Sequence, residues 1–405
     1  MNALRDHAQR SLRRLLILTA LLLVGLHPFG YTSLATSFDG LLHLYRLVEL
    51  DHLIAQGIWF PRWAPDFVFG FGYPLFNFYA PLSYYLTAPM HWLGLSLVDS
   101  ATVFFVLCTL AASAAMFALA RAAFERDSAA LVAALAYAYA PTHIYDNFYR
   151  SAWGTVLAYA LVPLALWAIL RWHQSHQARH LALLALSVAA LMLAHNITAL
   201  LSMPVIIVAV IVFTGIPPSR LFLHPILAIG MGLALSAYFW VPALLEAQYV
   251  QTWRLTIPPD FDFHEHFLSL TEWLAWPAPA EVARINPDLV NTLGPLHAAL
   301  ALGGMLSIIT WRGAQRHIAG LFALALILTL SMTLPQSAWL WEHLPVLPSL
   351  QFPHRFLTPA ALCVALLSAA FVAALPARWQ APASASACAL LVVGAIPFLY
   401  PRALP

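Results

Sequence analysis

The chain has 405 residues, of which 62% are hydrophobic and 9% charged, whereas soluble domains carry roughly 25% charged residues. This composition excludes an ordinary soluble globular protein, because folding alone cannot keep so much apolar surface from water. The formal net charge of +2 gives no indication of a nucleic-acid partner.

Apolar runs of membrane-spanning length recur along the whole sequence. The first extends from Leu15 to about Thr36 and follows four arginines, which is typical of a start-transfer helix with a cytoplasmic N-terminus. A cleaved signal peptide is the alternative, but the run is long for one and no convincing cleavage site follows it. Further runs cover approximately 99–121, 129–146, 152–171, 180–196, 197–214, 221–245, 293–311, 317–334, 353–375 and 385–400. We therefore predict an all-α integral membrane protein of about eleven transmembrane helices. It forms a single domain, residues 1–405, with no soluble C-terminal domain.

The segment Ala80–Leu97 decides the predicted topology, since it could cross the membrane or lie at the outer interface. If it does not cross, the inside connections carry twelve of the nineteen arginines, and if it does, the number falls to nine. Only the first arrangement satisfies the positive-inside rule. We therefore predict a multi-pass protein of the cell (inner or plasma) membrane with two long extracytoplasmic loops, 38–98 and 246–291. The short turns at 146–150, 195–196 and 351–355 fall on the same side.

The first outer loop begins with an unusual helical pattern. Asp39, His43 and Arg46 lie at i, i+4 and i+7, so a carboxylate, an imidazole and a guanidinium share one helix face. The pattern predicts an amphipathic helix on the membrane surface, with its charged edge turned into a cavity and Leu41, Leu44 and Val48 on the opposite side. Asp39 could simply cap this helix, or it could act as a general base beside cationic groups that hold a phosphate.

Four other polar residues interrupt the apolar pattern near the outer ends of predicted spans. Arg150 and Arg355 could be snorkelling side chains. Their position opposite the arginine-rich side, with Asp146 and His354 nearby, makes them candidate phosphate or carboxylate ligands. His195 is most simply part of a tight turn and is also a candidate ligand. Glu246 is a candidate second carboxylate.

Aromatic side chains crowd the rest of the first loop. Trp59, Trp63, Tyr73 and Tyr79 could form an interfacial belt, and they could also stack on sugar rings or isoprenoid chains. The run DFDFHEH at 260–266 has the residue types of a metal site, but its spacing matches no known signature. A solvated acidic loop is the simpler interpretation, so no metal ligand is assigned.

Several motifs give the chain a family resemblance. The segments DGLLHLYR (39–46), GIWFPRWAPD (57–66) and GFGYPLFNFYAPLSYY (70–85) resemble the first outer loop of bacterial and archaeal membrane proteins labelled "6-pyruvoyl-tetrahydropterin synthase-related". Shorter matches occur in DNFYR (146–150) and FPHRFL (352–357). The pterin label has no chemical support here, because pterin synthases are soluble zinc enzymes and their zinc-histidine spacing is missing.

That group is in turn similar to type C (GT-C) glycosyltransferases, which take a sugar from a polyprenyl-phosphate or polyprenyl-diphosphate donor with inversion. The resemblance implies a GT-C-like helical bundle, with Asp39 as the base that activates the acceptor hydroxyl. Arg46, Arg150 and Arg355 would bind the lipid phosphate, with His43, His195, His354 and Glu246 as further candidate substrate contacts. The acceptor would be a glycan, a lipid or a protein.

Two departures from the GT-C pattern bear on these expectations. Many type C enzymes have paired acidic residues in the first loop, whereas Gly40 follows Asp39 here. Some members also use a divalent metal, so a metal is possible but no cofactor is assigned. A lipid or polysaccharide transporter is the alternative function, although it would place ionisable residues near mid-membrane. A non-catalytic scaffold would leave the shared face of Asp39, His43 and Arg46 unexplained.

Overall fold

A computed structural model describes residues 17–30, 37–214, 220–251, 254, 256–258, 261–280 and 290–401. Within these ranges the chain is helical, with one isolated antiparallel bridge between Ala64 and Tyr73. The helices in chain order are α1 (Ile17–Gly30), α2 (Gly40–Ala55), α3 (Leu75–Phe78), α4 (Leu82–Trp92), α5 (Leu97–Phe124), α6 (Asp127–Ala138), α7 (Pro141–Ile144), α8 (Trp153–Ser175), α9 (Ala178–Ala194), α10 (Asn196–Thr214), α11 (Leu223–Leu235), α12 (Ala237–Leu245), α13 (Leu270–Trp273), α14 (Pro295–Ser307), α15 (Gly313–Ser331), α16 (Ala338–His343), α17 (Leu357–Ala374) and α18 (Ala377–Leu399).

The prediction of an all-helical membrane protein is confirmed, and every predicted span contains a helix. Six helices of the described chain are long and apolar enough to cross a bilayer, and the bent pair α11 and α12 would make a seventh. Four more apolar helices, α1, α6, α9 and α14, are shorter. The count of about eleven spans therefore stays a prediction. Residues 31–36 of the first predicted span lie outside the described residues.

The bend of 67° between α11 and α12 has a local cause. The Ser236 hydroxyl lies within hydrogen-bond distance of the Gly232 carbonyl oxygen, at 3.0 Å. The Trp240 indole N–H donates to the Leu233 carbonyl oxygen at 2.9 Å. Side chains that take carbonyl oxygens from the helical ladder are a common cause of such kinks.

The segment Ala80–Leu97 contains α4, which has eleven residues. A straight helix of this length is about 16 Å long, roughly half the thickness of the hydrocarbon core. It is therefore too short to cross a bilayer on its own.

Helix α2 is only partly the amphipathic element that its sequence predicts. Leu47 and Leu50 are fully buried, and Leu44 is also buried rather than exposed beside Leu41 and Val48. Leu41 and Val48 are about half exposed, as expected of a lipid-facing side. The inner face of α2 packs on α4 and α5, so the helix is a wall of the bundle and not a loosely attached surface element.

Helices α8 and α17 form the centre of the bundle, where α8 packs against α5 and α9 and α17 packs against α6, α14 and α15. The α14–α17 contact is very close, because a Cβ atom on Gly304 would lie 2.2 Å from the Leu367 carbonyl oxygen. Glycine is therefore the only residue that fits at this crossing without a backbone shift.

We expect Gly304→Ala to lower the free energy of unfolding by about 1–3 kcal/mol, because the added methyl group must push two central helices apart. Thermal unfolding of the detergent-purified protein measures the effect. Gly320→Ala in α15 is the matched control, since a Cβ atom there would meet nothing within 4 Å. Equal melting temperatures for the two variants would contradict the close packing.

Candidate functional site

A cavity of ≈ 830 Å³ lies where four helices begin. Its wall includes residues at the N-termini of α2, α8, α10 and α17, together with parts of the 261–272 segment and the 351–358 turn. The sequence-predicted residues that line it are Asp39, His43, Arg46, Tyr79, Arg150, His195, His354 and Arg355. Side chains from distant parts of the sequence therefore meet in one space. The helix N-termini add a positive field to it.

The turn that carries Asp39 is hydrogen-bonded to the segment before α8. The Phe38 N–H donates to the Tyr149 carbonyl oxygen at 2.8 Å, and the Asp39 N–H donates to the Arg150 carbonyl oxygen at 3.0 Å. The Ser37 hydroxyl donates to that of Ser151 at 2.5 Å. These bonds fix the candidate base beside the candidate phosphate ligand Arg150.

The carboxylate of Asp39 is available for chemistry. Asp39 occupies the N-cap position of α2, but its side chain accepts no capping hydrogen bond. The Asp39 side chain therefore does not cap α2 with a hydrogen bond, as the capping interpretation requires. Burial raises the pKa of Asp39, while Arg46, Arg150 and Arg355 oppose the rise and Asp146 reinforces it. Asp39 thus interacts electrostatically with three guanidinium groups and one other carboxylate.

The other two residues of the predicted charged face are held by aromatic side chains. His43 is 2% exposed, and its Nδ1 lies 2.6 Å from the Tyr84 hydroxyl. Burial lowers the pKa of His43 well below its usual value, so the ring is neutral. The Arg46 guanidinium lies over the Tyr79 ring at 4.1 Å, and its buried Nε has no hydrogen-bond partner. The Nε atom is thus enclosed by the protein, while the Arg46 residue lines the cavity.

Arg150 follows a π-helical segment, Tyr145–Tyr149, a rare conformation that is frequent at functional sites. Its Nη1 donates to Asp146 Oδ1 at 3.2 Å, and its Nη2 donates to Asn291 Oδ1 at 2.7 Å. Nη2 also lies 3.2 Å from His354 Nε2. Three partners from separate segments thus orient one guanidinium.

Asp146 is a site residue that the sequence analysis did not select. It is 3% exposed, and its Oδ2 accepts a hydrogen bond from the Tyr159 hydroxyl at 2.8 Å. Burial raises the pKa of Asp146 and the Arg150 charge opposes that rise. The i, i+4 spacing of Asp146 and Arg150 in the sequence indicates that the two side chains can pair. Because both carboxylate oxygens are engaged, Asp146 positions Arg150 and is less available than Asp39 as a base.

Arg355 is fixed from the other side of the cavity opening. Its Nη1 donates to the Leu350 carbonyl oxygen at 2.7 Å, and its guanidinium lies 5.1 Å from the centre of the Phe352 ring. The turn that presents it includes Gln351 with a φ of 64°, a left-handed conformation that non-glycine residues rarely adopt.

His195 lies in the turn between α9 and α10. Its Nδ1 is 2.7 Å from the Thr198 hydroxyl and 3.3 Å from the Thr198 backbone nitrogen. The residue therefore has a structural role in capping α10. A Cβ atom on Gly154 would lie 2.4 Å from the Ala194 carbonyl oxygen, so α8 approaches this turn closely.

The 261–272 segment contributes more to the cavity than a solvated acidic loop would. Glu265, His266 and Glu272 line it, although Glu272 also accepts from Ser269 in a capping box. His264 instead contacts the carboxylates of Asp262, which is partly buried, and of Glu342, which is about half exposed. Asp260 lies outside the described residues.

The described residues do not fit a divalent cation. No group of three histidine, cysteine, aspartate or glutamate side chains among them is close enough to hold a metal ion. Asp146 is engaged by Arg150 and Tyr159, and His354 by Arg150. We therefore derive no step through a metal.

Four of the predicted site residues lie outside the cavity. Glu246 accepts a hydrogen bond from Asn77 Nδ2 at 2.8 Å and lies 3.7 Å from Arg62, so the geometry does not support a second carboxylate at this position. Trp59, Trp63 and Tyr73 are half or more exposed and do not line the cavity, in contrast to Tyr79. Because long-range packing decides which loop residues face inwards, the sequence could not separate the two groups.

A helical chain with several apolar helices and a polar cavity at helix N-termini belongs to the class of polytopic membrane proteins. Within this class, the chain belongs to the family of the 6-pyruvoyl-tetrahydropterin synthase related domain, a membrane protein family whose model matches residues 76–401. The match begins after Asp39, His43 and Arg46. No curated protein matches the chain by sequence.

Solved structures of another membrane protein share the fold. A cryo-EM structure of arabinofuranosyltransferase AftD from Mycobacteria is similar with a TM-score of 0.62 and 19% sequence identity, over 96% of this chain and 27% of that chain. A mutant form of AftD gives a TM-score of 0.61 and 19% identity, over 96% of this chain and 29% of that chain. The chain thus spans less than a third of AftD. At this identity the likeness establishes the fold and agrees with the GT-C resemblance seen in the sequence.

We expect Asp146→Ala to lower the free energy of unfolding by about 3 kcal/mol, because it leaves the largely buried Arg150 charge without its carboxylate. Thermal unfolding of the purified protein is the measurement. Asp127→Ala is the matched control, because Asp127 pairs with Arg121 where both side chains are more than a third exposed. Its loss should cost less than about 1 kcal/mol. A smaller effect at Asp146 than at Asp127 would contradict the positioning role.

Proposed function

We propose that the protein is a GT-C-type membrane glycosyltransferase that transfers a sugar from a polyprenyl-phosphate or polyprenyl-diphosphate donor, with Asp39 as general base. The observation that carries the proposal is the Asp39 carboxylate. It lines a ≈ 830 Å³ cavity, makes no capping hydrogen bond and feels the charges of three arginines. The fold shared with the arabinofuranosyltransferase AftD supports the same class of enzyme.

The charge distribution around Asp39 suits a phosphate leaving group. Arg46, Arg150 and Arg355 all line the cavity, and α8, α10 and α17 begin at its wall. Guanidinium groups and helix N-termini both stabilise phosphate oxygens.

The proposed sugar transfer needs only the residues of this site and its two substrates. Asp39 takes the proton from an acceptor hydroxyl, and the acceptor oxygen forms a bond to the anomeric carbon of the sugar. The bond from that carbon to the phosphate oxygen breaks, and the electron pair leaves with the lipid phosphate. The three arginines stabilise the negative charge that develops there. A direct in-line attack inverts the anomeric configuration.

The membrane supplies one substrate and sets the direction of entry. A polyprenyl chain stays in the bilayer while its phosphate reaches the arginines, so the donor enters from the side. The site would face the extracytoplasmic side of the cell membrane, in line with the arginine distribution in the sequence. The acceptor, a glycan, a lipid or a protein, would enter from the aqueous side near Glu265 and His266.

The decisive experiment compares a deletion strain complemented with wild type, Asp39→Asn or Asp51→Asn at matched protein levels in the membrane. Mass spectrometry of surface glycans and polyprenyl-linked sugars is the readout. We expect Asp39→Asn to lower transfer by about 10²–10⁴-fold, because the amide cannot accept the proton. One sugar should then disappear from a glycan while its lipid-linked donor accumulates.

Asp51→Asn is the matched control for the same chemical change in the same helix. Asp51 accepts from the Trp92 indole N–H at 2.5 Å and does not line the cavity, so this variant should behave as wild type. Full complementation by Asp39→Asn would refute base catalysis. Transporter or scaffold function would then be the better explanation.

The pH dependence gives an independent test of Asp39. A general base must be ionised, so activity should fall as the pH drops through the pKa of Asp39, which burial raises above the usual 3.8. Arg46 opposes this rise, so Arg46→Gln should move the acid limb of kcat/KM to higher pH. Arg62→Gln is the control, because Arg62 lies near Glu246 outside the cavity. An acid limb that Arg46→Gln leaves in place would argue against Asp39 as the titrating base.

A further inference from the structure

The cavity wall has a charged part and an uncharged polar part. The charged part contains Asp39 and the three arginines. The uncharged part includes Thr155 and Thr198, with His195 between them. A glycosyl donor has the same division, since a charged phosphate is bonded to a neutral, hydroxyl-rich sugar.

Hydrogen bonds fix the tautomer of His195. The Thr198 backbone N–H points to Nδ1 at 3.3 Å, and a backbone N–H can only donate. Nδ1 must therefore carry a lone pair. The Thr198 hydroxyl, at 2.7 Å, can share this lone pair, and the Thr155 hydroxyl lies 3.5 Å away. In the neutral ring the proton consequently lies on Nε2.

The protonated Nε2 is not sealed within the protein. The Cδ2 atom bonded to it lies against α8, 3.2 Å from where a Gly154 Cβ atom would be. The described residues offer Nε2 no hydrogen-bond partner, and Nε2 is not among the polar atoms sealed without one. Because His195 lines the cavity, this N–H is free to bind a ligand.

His195 stays neutral in the working pH range. Burial, with a smaller contribution from the nearby Arg355 charge, lowers its pKa to about 3. His43, the other titratable group near it, is buried and neutral as well. A neutral donor can bind an uncharged oxygen atom without adding a further positive charge beside the arginines.

We infer that His195 is a fixed, uncharged hydrogen-bond donor, whose Nε2–H binds a hydroxyl or ring oxygen of the transferred sugar. This inference rests on the proposed function and adds the sugar subsite to it. Arg355 is close enough to affect the protonation of His195, and the sugar is bonded directly to the phosphate that Arg355 would hold. His195 and Arg355 line the same cavity.

Two substitutions separate this role from the capping of α10. His195→Asn keeps an acceptor near the position of Nδ1 and removes the distal N–H. His195→Gln places an amide N–H near the position of Nε2. If His195 binds the sugar, His195→Asn should lower kcat/KM by about tenfold, the effect of one lost neutral hydrogen bond. His195→Gln should recover most of that loss.

The assay uses the full chain in lipid nanodiscs, with the polyprenyl-linked sugar that accumulates in the Asp39→Asn strain as the probe. Melting temperatures of both variants are measured alongside. A role in capping alone predicts the reverse order, with His195→Asn close to wild type. Any result in which His195→Gln is no more active than His195→Asn overturns the inference. Neither variant should change the acid limb of the pH profile, because His195 does not titrate there.

The outcome is distinguishable from failure of the proposed function. If the wild type transfers no sugar and no lipid-linked sugar accumulates with Asp39→Asn, the glycosyltransferase proposal has failed and the sugar subsite fails with it. A substrate-free check is nitrogen-15 NMR of labelled histidine, with the His195→Gln spectrum subtracted. We expect a neutral ring protonated at Nε2 between pH 5 and 8, and a proton on Nδ1 would overturn the inference.

Discussion

Two backbone hydrogen bonds, from Phe38 and Asp39 to Tyr149 and Arg150, hold the candidate base against the segment that precedes α8. These carbonyl groups are available because the π-helical segment ends at Tyr149, and the last carbonyl groups of a helix have no partner within it. One contact thus determines where the first loop meets the central helix. The distance between a carboxylate and a guanidinium more than a hundred residues apart in sequence follows from it.

Charged side chains in the cavity have compensating contacts. Asp146 and Arg150 pair within it, and Arg46 lies on an aromatic ring. Such contacts offset the cost of removing ionic groups from water. The Asp39 side chain, which lines the cavity, makes no capping hydrogen bond. An unengaged group of this kind is expected where a ligand completes the site.

Sequence reasoning succeeded where local periodicity sets the geometry and failed where packing does. Asp39, His43 and Arg46 share a face because a helix repeats every 3.6 residues, and the structure brings all three to the cavity. Arg150 and Arg355 break the arginine distribution expected of membrane loops, so they were also selected. Glu246 has the same residue type as Asp39, yet it lies with Asn77 and Arg62. No pattern in the sequence distinguishes these two carboxylates.

The sequence by itself determined that the protein is helical and lies in a membrane, because 62% hydrophobic residues leave few other solutions. It also determined which polar residues interrupt the apolar pattern. The tertiary structure decided which of them share a cavity, what Asp146 does and which nitrogen of His195 carries the proton. The reason is physical: hydropathy and helical periodicity act over a few turns, whereas partners, burial and protonation depend on contacts between distant segments.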